Sequence, residues 1–210
     1  MIRVVVADDH AVVRAGVRRI IEDHADLSVV AEATNGDEVL TTLAEGPADV
    51  IVLDISMPGP GIFELLRHIG ERHPTIRTVV LTMYPEDQYA VRVLRAGAAA
   101  YLSKARSADL LVEAIHTAFR GGVYVDPAVG ETLAAHVVGR AERLSHQQLS
   151  DRELDVLVRI AKGQSVKAIA LDLGLSRKTV STYHSRIREK LQLPSDADLI
   201  RYALAQGLVE

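Results

Sequence analysis

Asp8 and Asp9 stand side by side at the end of the β-branched run "VVVADD", Asp54 closes "VIVLD", Thr82 closes "TVVLT", and Lys104 follows "AYLS". Each of these polar groups sits where an apolar stretch of strand length stops. Three carboxylates drawn together repel and raise one another's pKa, which costs stability unless a cation stands among them. An oxygen donor set without sulfur favours a hard ion such as Mg2+, which keeps several waters and takes one or two carboxylates plus a phosphoryl oxygen. A plainer reading of the Asp pair is a cap on a helix starting near Ala11, because Asp is a favoured N-cap.

The elements that must carry these groups are legible as a pattern. Strand-length apolar runs at 3–7, 27–33, 50–54, 78–82 and 100–103 alternate with amphipathic segments at 11–23, 37–44, 62–72, 86–96 and 108–119. Five strand-helix units in succession predict a doubly wound α/β fold, a five-stranded parallel sheet with helices on both faces. Ligands of such sheets bind at the carboxyl ends of the strands, so Asp8, Asp9, Asp54, Thr82 and Lys104 should converge on one edge.

Composition narrows the classes. The 210 residues are 48% apolar, enough for a real core, and cysteine is absent, which excludes disulfides, thiolate metal sites and cysteine nucleophiles. No uncharged apolar run is long enough for a membrane helix, and Arg3 enters a strand pattern directly, without the layout of a signal peptide; the expectation is a cytoplasmic protein with no membrane partner. The eight histidines lack the HExxH spacing. Charge divides the chain: residues 1–144 hold 14 Lys/Arg against 20 Asp/Glu, a net of −6, and residues 145–210 hold 10 against 8, a net of +2. Two differently charged parts suggest two partners.

Taken in order and spacing, "VVVADDH", "VIVLDISMPGPG", "VVLTMY" and "AAAYLSKA" resemble the receiver domain of two-component response regulators over about the first 120 residues. The resemblance implies a flavodoxin/CheY-like fold in which Asp54 accepts a phosphoryl group. It further implies Asp9 as a direct Mg2+ ligand, Asp8 assisting through water, and the backbone carbonyl of Ser56 as another ligand. Thr82 and Lys104 would hold the phosphoryl oxygens, and Tyr101, three residues before Lys104, matches the switch aromatic that turns inward when Thr82 is drawn towards the phosphoryl group. The sequence departs from the family in "MPGPG" (57–61), where Pro60 alone separates two glycines; the loop is one residue short, and Pro60 lacks an amide donor, so the turn and the start of the next helix could shift.

Gly121-Gly122 ends the fifth helix pattern, and residues 127–143 read as a short helix with a polar tether. The period then changes. "LSDRELDVLVRIAKG" opens with a capping box from Ser150 to Glu153 and carries Leu154, Leu157, Val158 and Ala161 at helical spacing. A short helix pattern, a turn at Gly174 and a longer helix capped by Ser176 make a helix-turn-helix, followed by a last helix over 196–206. The longer helix has Arg177, Lys178, Arg186, Arg188 and Lys190 against Glu189 alone, and in that setting double-stranded DNA is the expected partner.

"LSDREL", "AKGQSVKAIA", "LSRKTVSTYHSRIREKL" and "LIRYALAQGL" resemble the LuxR-type helix-turn-helix across about residues 146–208, which makes the whole chain similar to response regulators of the NarL/FixJ type. The resemblance implies Ser181, Thr182 and Ser185 at base-facing positions and Lys167, Lys178, Thr179 and Arg186 near phosphates. Some relatives carry lysines where this chain has Ser181 and Ser185, and short hydroxyls discriminate bases weakly. The expected organisation is a receiver over 1–121, a linker over 122–144 and a small all-α DNA-binding domain over 145–210. The expected partners are a sensor histidine kinase, DNA and a second copy of the chain, with Mg2+ as cofactor and no enzymatic turnover beyond phosphotransfer to Asp54. An aspartyl-phosphate phosphatase would need an acid two residues after the nucleophile, where this chain has Ser56, and a dinucleotide-binding dehydrogenase would need a Gly-rich turn where it has "ADDHAV". A DNA binder whose receiver only dimerises, without phosphorylation, is the remaining alternative.

Overall fold

A computed structural model describes residues 1–83, 86–104, 108–126, 130 and 145–209. The chain divides into two compact units, Met1–Ala134 and Ala135–Glu210.

In the first unit β1 (Ile2–Ala7), β2 (Leu27–Ala33), β3 (Val50–Leu53), β4 (Arg77–Thr82), β5 (Ala100–Ser103) and β6 (Tyr124–Val125) form one sheet in the order β2-β1-β3-β4-β5-β6, with every pair parallel. The sheet therefore has six strands where the sequence pattern predicts five. The sixth is two residues long and sits in the expected linker, so it carries no alternation to read; its register is set by Tyr124 N–H donating to Ala99 O at 2.8 Å. The strands between the edges are near-continuous β-branched and aliphatic runs because both faces are covered.

One face is closed by α1 (Ala11–Glu22) and α5 (Ala108–Phe119), whose Val17, Ile21, Leu111, Val112, Ile115 and Ala118 pack on Val4, Val6, Val52, Val79, Leu81 and Leu102. The alternate strand residues, among them Ile51, Leu53, Val80 and Tyr101, point to the other face. There the buried sides of α2 (Gly36–Glu45), α3 (Ile62–Arg72) and α4 (Glu86–Arg95) supply Val39, Leu43, Leu65, Ile69, Ala90 and Val93. Each fully buried Val, Leu or Ile side chain among them contributes roughly 1.5–3 kcal/mol of transfer free energy. The strand order reverses between β1 and β3, and that reversal opens the crevice at the carboxyl edge.

The second unit begins with a 3-10 turn, Ser145–Gln148, followed by α6 (Asp151–Ala161), α7 (Val166–Asp172), α8 (Arg177–Leu191) and α9 (Asp196–Ala205). Serines 150, 165, 176 and 195 each accept a hydrogen bond from the backbone N–H three residues on; the caps at 150, 176 and 195 are those the sequence predicts, and Ser165 adds the fourth. Leu154, Leu157, Ile169, Val180, Ile187 and Leu199 form the core. Val158 and Ala161, expected with them, are only half-buried, while Val156 and Arg159 are buried. The helix is packed by α7, α8 and α9, which widens its covered face, and Arg159 is tolerated there because Asp155 at 2.8 Å and Asp172 at 3.3 Å pair with it. Of the helix expected within 127–143, only residue 130 lies within the described residues.

Candidate functional site

β1, β3 and β5 end side by side, and their last residues meet. Lys104, directly after β5, places Nζ 2.6 Å from Asp8 Oδ2 and 3.0 Å from Asp54 Oδ2. All three side chains are under a tenth exposed. Asp54 Oδ1 accepts from the Ile55 N–H at 2.8 Å, whereas the buried Oδ2 faces the Lys104 ammonium. Burial pushes the Asp54 carboxyl above its ordinary value, with Asp8 adding to the rise and Lys104 working against it. Burial alone would lower the Lys104 ammonium, but the charges of Asp54 and Asp8 hold it above its usual range.

Asp8 serves two purposes. Its Oδ1 accepts from the His10 N–H at 2.8 Å, bracing the turn before α1; the N-cap of α1 is His10, so neither aspartate caps the helix as the plainer reading expects. Its Oδ2 faces Lys104. Arg14 fixes the same turn from α1, donating to Asp8 O at 2.8 Å and to Glu32 Oε2 at 2.9 Å on β2. Asp9 is exposed and points to His10, whose Nδ1 is 2.9 Å away. Oxygen or nitrogen atoms of Asp8, Asp9, His10 and Asp54 all lie within 4.8 Å of one another. Three carboxylates offering oxygen atoms within so small a span suit a hard divalent cation, so the residues present fit Mg2+. Sequence reasoning missed His10 and Arg14. His10 is adjacent to the pair in "DDH", but a lone histidine has no ligand spacing to flag it, and Arg14 acts through a backbone carbonyl that no pattern encodes.

Thr82 is fully buried at the end of β4, in register with Ser103, and its carbonyl accepts from the Lys104 N–H at 2.8 Å. Tyr101 is 1% exposed in β5, in register with Val80. Ser56 lies in the bend two residues past Asp54. The short "MPGPG" loop is folded against the start of α2: Gly36 N–H donates to Pro58 O at 2.8 Å, and a Cβ on Gly36 would meet the Pro60 ring and carbonyl at 3.0 Å. Gly59 takes φ +92°, which only glycine adopts freely. The missing residue is absorbed in that loop, and α3 still begins at Ile62.

In the second unit α8 buries Val180, Ile187 and Leu191 and turns Lys178, Ser181, Thr182, Ser185 and Arg186 outward, with Thr179 half-exposed; Lys167 is exposed on α7. The hydroxyls of Thr182 and Ser185 donate to the carbonyls of Lys178 and Ser181 at 2.9 and 3.1 Å, leaving acceptor lone pairs outward. Two of the helix's five cations are engaged internally. Lys190 is 2.6 Å from the buried Glu153, and Arg188 donates to the carbonyls of Leu193 and Pro194.

Residues 4–116 match the family described as response regulator receiver domain, and residues 147–203 match bacterial regulatory proteins, luxR family. The response regulator GacA of Pseudomonas viridiflava is 38% identical over 100% of this chain and 99% of its own. This chain is a response regulator. UvrY of Escherichia coli K12, also named a response regulator, is 36% identical over 99% of this chain and 96% of its own. RcsB from Salmonella enterica serovar Typhimurium, solved bound to promoter rprA in the presence of phosphomimetic BeF3-, superposes with a TM-score of 0.77 at 28% identity, covering 96% of this response regulator and 97% of RcsB. The receiver and the LuxR-type DNA-binding domain thus occur together in one chain of a two-component transcription regulator.

Proposed function

We propose that this response regulator is switched by phosphorylation of Asp54, with Mg2+ as cofactor and a sensor histidine kinase as donor, and that the phosphorylated form dimerises and binds double-stranded DNA. The observation that carries the reading is the Lys104 ammonium held between Asp8 and Asp54 at the carboxyl edge. A carboxylate there is positioned as a nucleophile, and a lysine beside it can balance the added phosphoryl charge without reacting itself. Mg2+, when bound by Asp8, Asp9, Asp54 and the Ser56 carbonyl, would screen the charge between carboxylate and phosphoryl donor. Thr82 donates a hydrogen bond to the new group, and the movement it makes is coupled to the packing of Tyr101.

The receiver occupies residues 1–121, the linker 122–144 and the DNA-binding domain 145–210 in this reading. The protein works in the cytoplasm without turnover of its own beyond accepting the phosphoryl group. Ser181, Thr182 and Ser185 face bases, while Lys167, Lys178, Thr179 and Arg186 contact phosphates; their outward placement supports this. A single domain of this size reads a short half-site, so paired domains give tight binding, with the side of α9 that carries half-exposed Leu204 as the contact.

The test uses a small phosphodonor. With Mg2+ the wild-type protein should gain one base-labile phosphoryl group and bind DNA more tightly as a dimer, and Asp54→Ala should gain none. Labelling of the variant at wild-type level would overturn the assignment. Identical dimerisation and DNA affinity with and without donor would favour the phosphorylation-independent alternative.

A further inference from the structure

His10 has no part in the phosphoryl chemistry just described, yet its ring is turned into the acidic cluster. Its Nδ1 lies 2.9 Å from Asp9 Oδ1 and 3.4 Å from Asp8 Oδ1. The residue stands at the N-cap of α1, but its side chain makes no capping hydrogen bond, so helix initiation does not explain the orientation. The two oxygens of Asp8 divide the site: Oδ2 belongs to Lys104, and Oδ1 faces the His10 side. One ligand atom each from Asp8, Asp9, His10 and Asp54 fits within 4.8 Å, about the span of donors around a single ion with bonds of roughly 2.0–2.3 Å.

We propose that His10 Nδ1 is a further donor to an ion held by Asp9 and Asp54, and that it makes this site prefer imidazole-binding transition dications such as Co2+, Ni2+ and Zn2+ over Mg2+. The proposal rests on the cluster being the receiver's divalent-cation site. Mg2+ is oxygen-seeking and dehydrates reluctantly, so an imidazole adds little for it; for the later first-row ions the same nitrogen is a favoured donor. The chain has no cysteine, which leaves imidazole as the softest strong donor available to the cluster. A plain surface pair between His10 and Asp9, 66% and 31% exposed, would contribute little to stability and would not discriminate among metals.

The experiment titrates chelator-treated full-length protein with Co2+, followed by visible absorbance, and with Mg2+, followed by amide NMR shifts at Asp9 and Asp54. Wild type, His10→Ala and His10→Gln are compared. Since even partners one shell out change metal affinity by about 10–100-fold, loss of the ring should weaken Co2+ about tenfold or more and move the Mg2+ constant less than about twofold. The Gln variant, polar but without imidazole, should show the same split. An unchanged Co2+ constant would overturn the proposal, the absorbance then coming from other histidines. Equal weakening of both ions would also overturn it, making His10 a brace of the turn. No Mg2+ shift at Asp9 or Asp54 in wild type would remove the cation site itself, and this proposal with it.

Discussion

Lys104 and Asp8 are already paired, 2.6 Å from Nζ to Oδ2 with both side chains buried, so the ammonium that faces Asp54 is anchored before any phosphoryl group arrives. Pre-placement of this kind lowers the reorganisation needed when new charge appears beside it.

Removing that anchor separates acceptance from response. Lys104→Ala should still be labelled at Asp54 by a small phosphodonor but should lose the phosphorylation-dependent rise in DNA affinity. In metal-free buffer it should also be less stable by about 3 kcal/mol, because two buried carboxylates lose their counter-charge. Phosphate-affinity gels, DNA titrations and denaturant melts read the three effects.

Asp54 is a stability liability at neutral pH. Burial raises its native carboxyl above the ordinary 3.8, so the native state binds this proton more tightly than the unfolded chain does. The contribution is greatest at low pH and is lost as pH rises through the native value. Asp54→Asn should therefore raise receiver stability at pH 7 by about 1 kcal/mol without metal and abolish the further stabilisation by Mg2+. Thermal melts with and without Mg2+ check both parts.

The engagement of Lys190 and Arg188 predicts which cations count on DNA. Lys178→Ala and Arg186→Ala should each flatten the salt dependence of DNA affinity by about one unit of log-log slope, and Lys190→Ala should leave it unchanged. Thr182→Ala should alter sequence preference rather than slope. Binding titrations at several salt concentrations separate the classes.

Glu153 carries a pH signature in the second unit. Burial alone would raise its carboxyl, but Lys190 and the N–H and hydroxyl of Ser150 hold it below the ordinary 4.5. Its contribution is thus present above that value and disappears as pH falls through the depressed native one. Glu153→Gln should cost about 1–2 kcal/mol at pH 7 and progressively less as pH falls below 4.5, which melts of the second unit's helical signal would follow.

Strand ends and helix starts were legible because each carries a local signature: a β-branched run stopping at a polar group, or a serine three residues before its amide partner. The convergence of Asp8, Asp54 and Lys104 followed from topology alone, since a parallel sheet puts all its strand ends on one edge. β6 escaped because two residues show no period. The burial of Val156 and Arg159 escaped because it depends on how many helices surround α6. Lys190 counted only towards the basic charge of its helix, for nothing in a one-dimensional charge count says that a buried glutamate 37 positions earlier claims it.

That claim has a consequence for how the protein finds its targets. Any duplex attracts a basic helix through its phosphates, so bulk chromosome acts as a decoy that holds regulators away from their promoters. A helix with two of its five cations held by its own domain binds the decoy more loosely and leaves it sooner. The fraction of molecules free to sample promoters rises accordingly, and in the proposed reading commitment to a site then depends on what the outward hydroxyls read and on a second copy arriving beside the first.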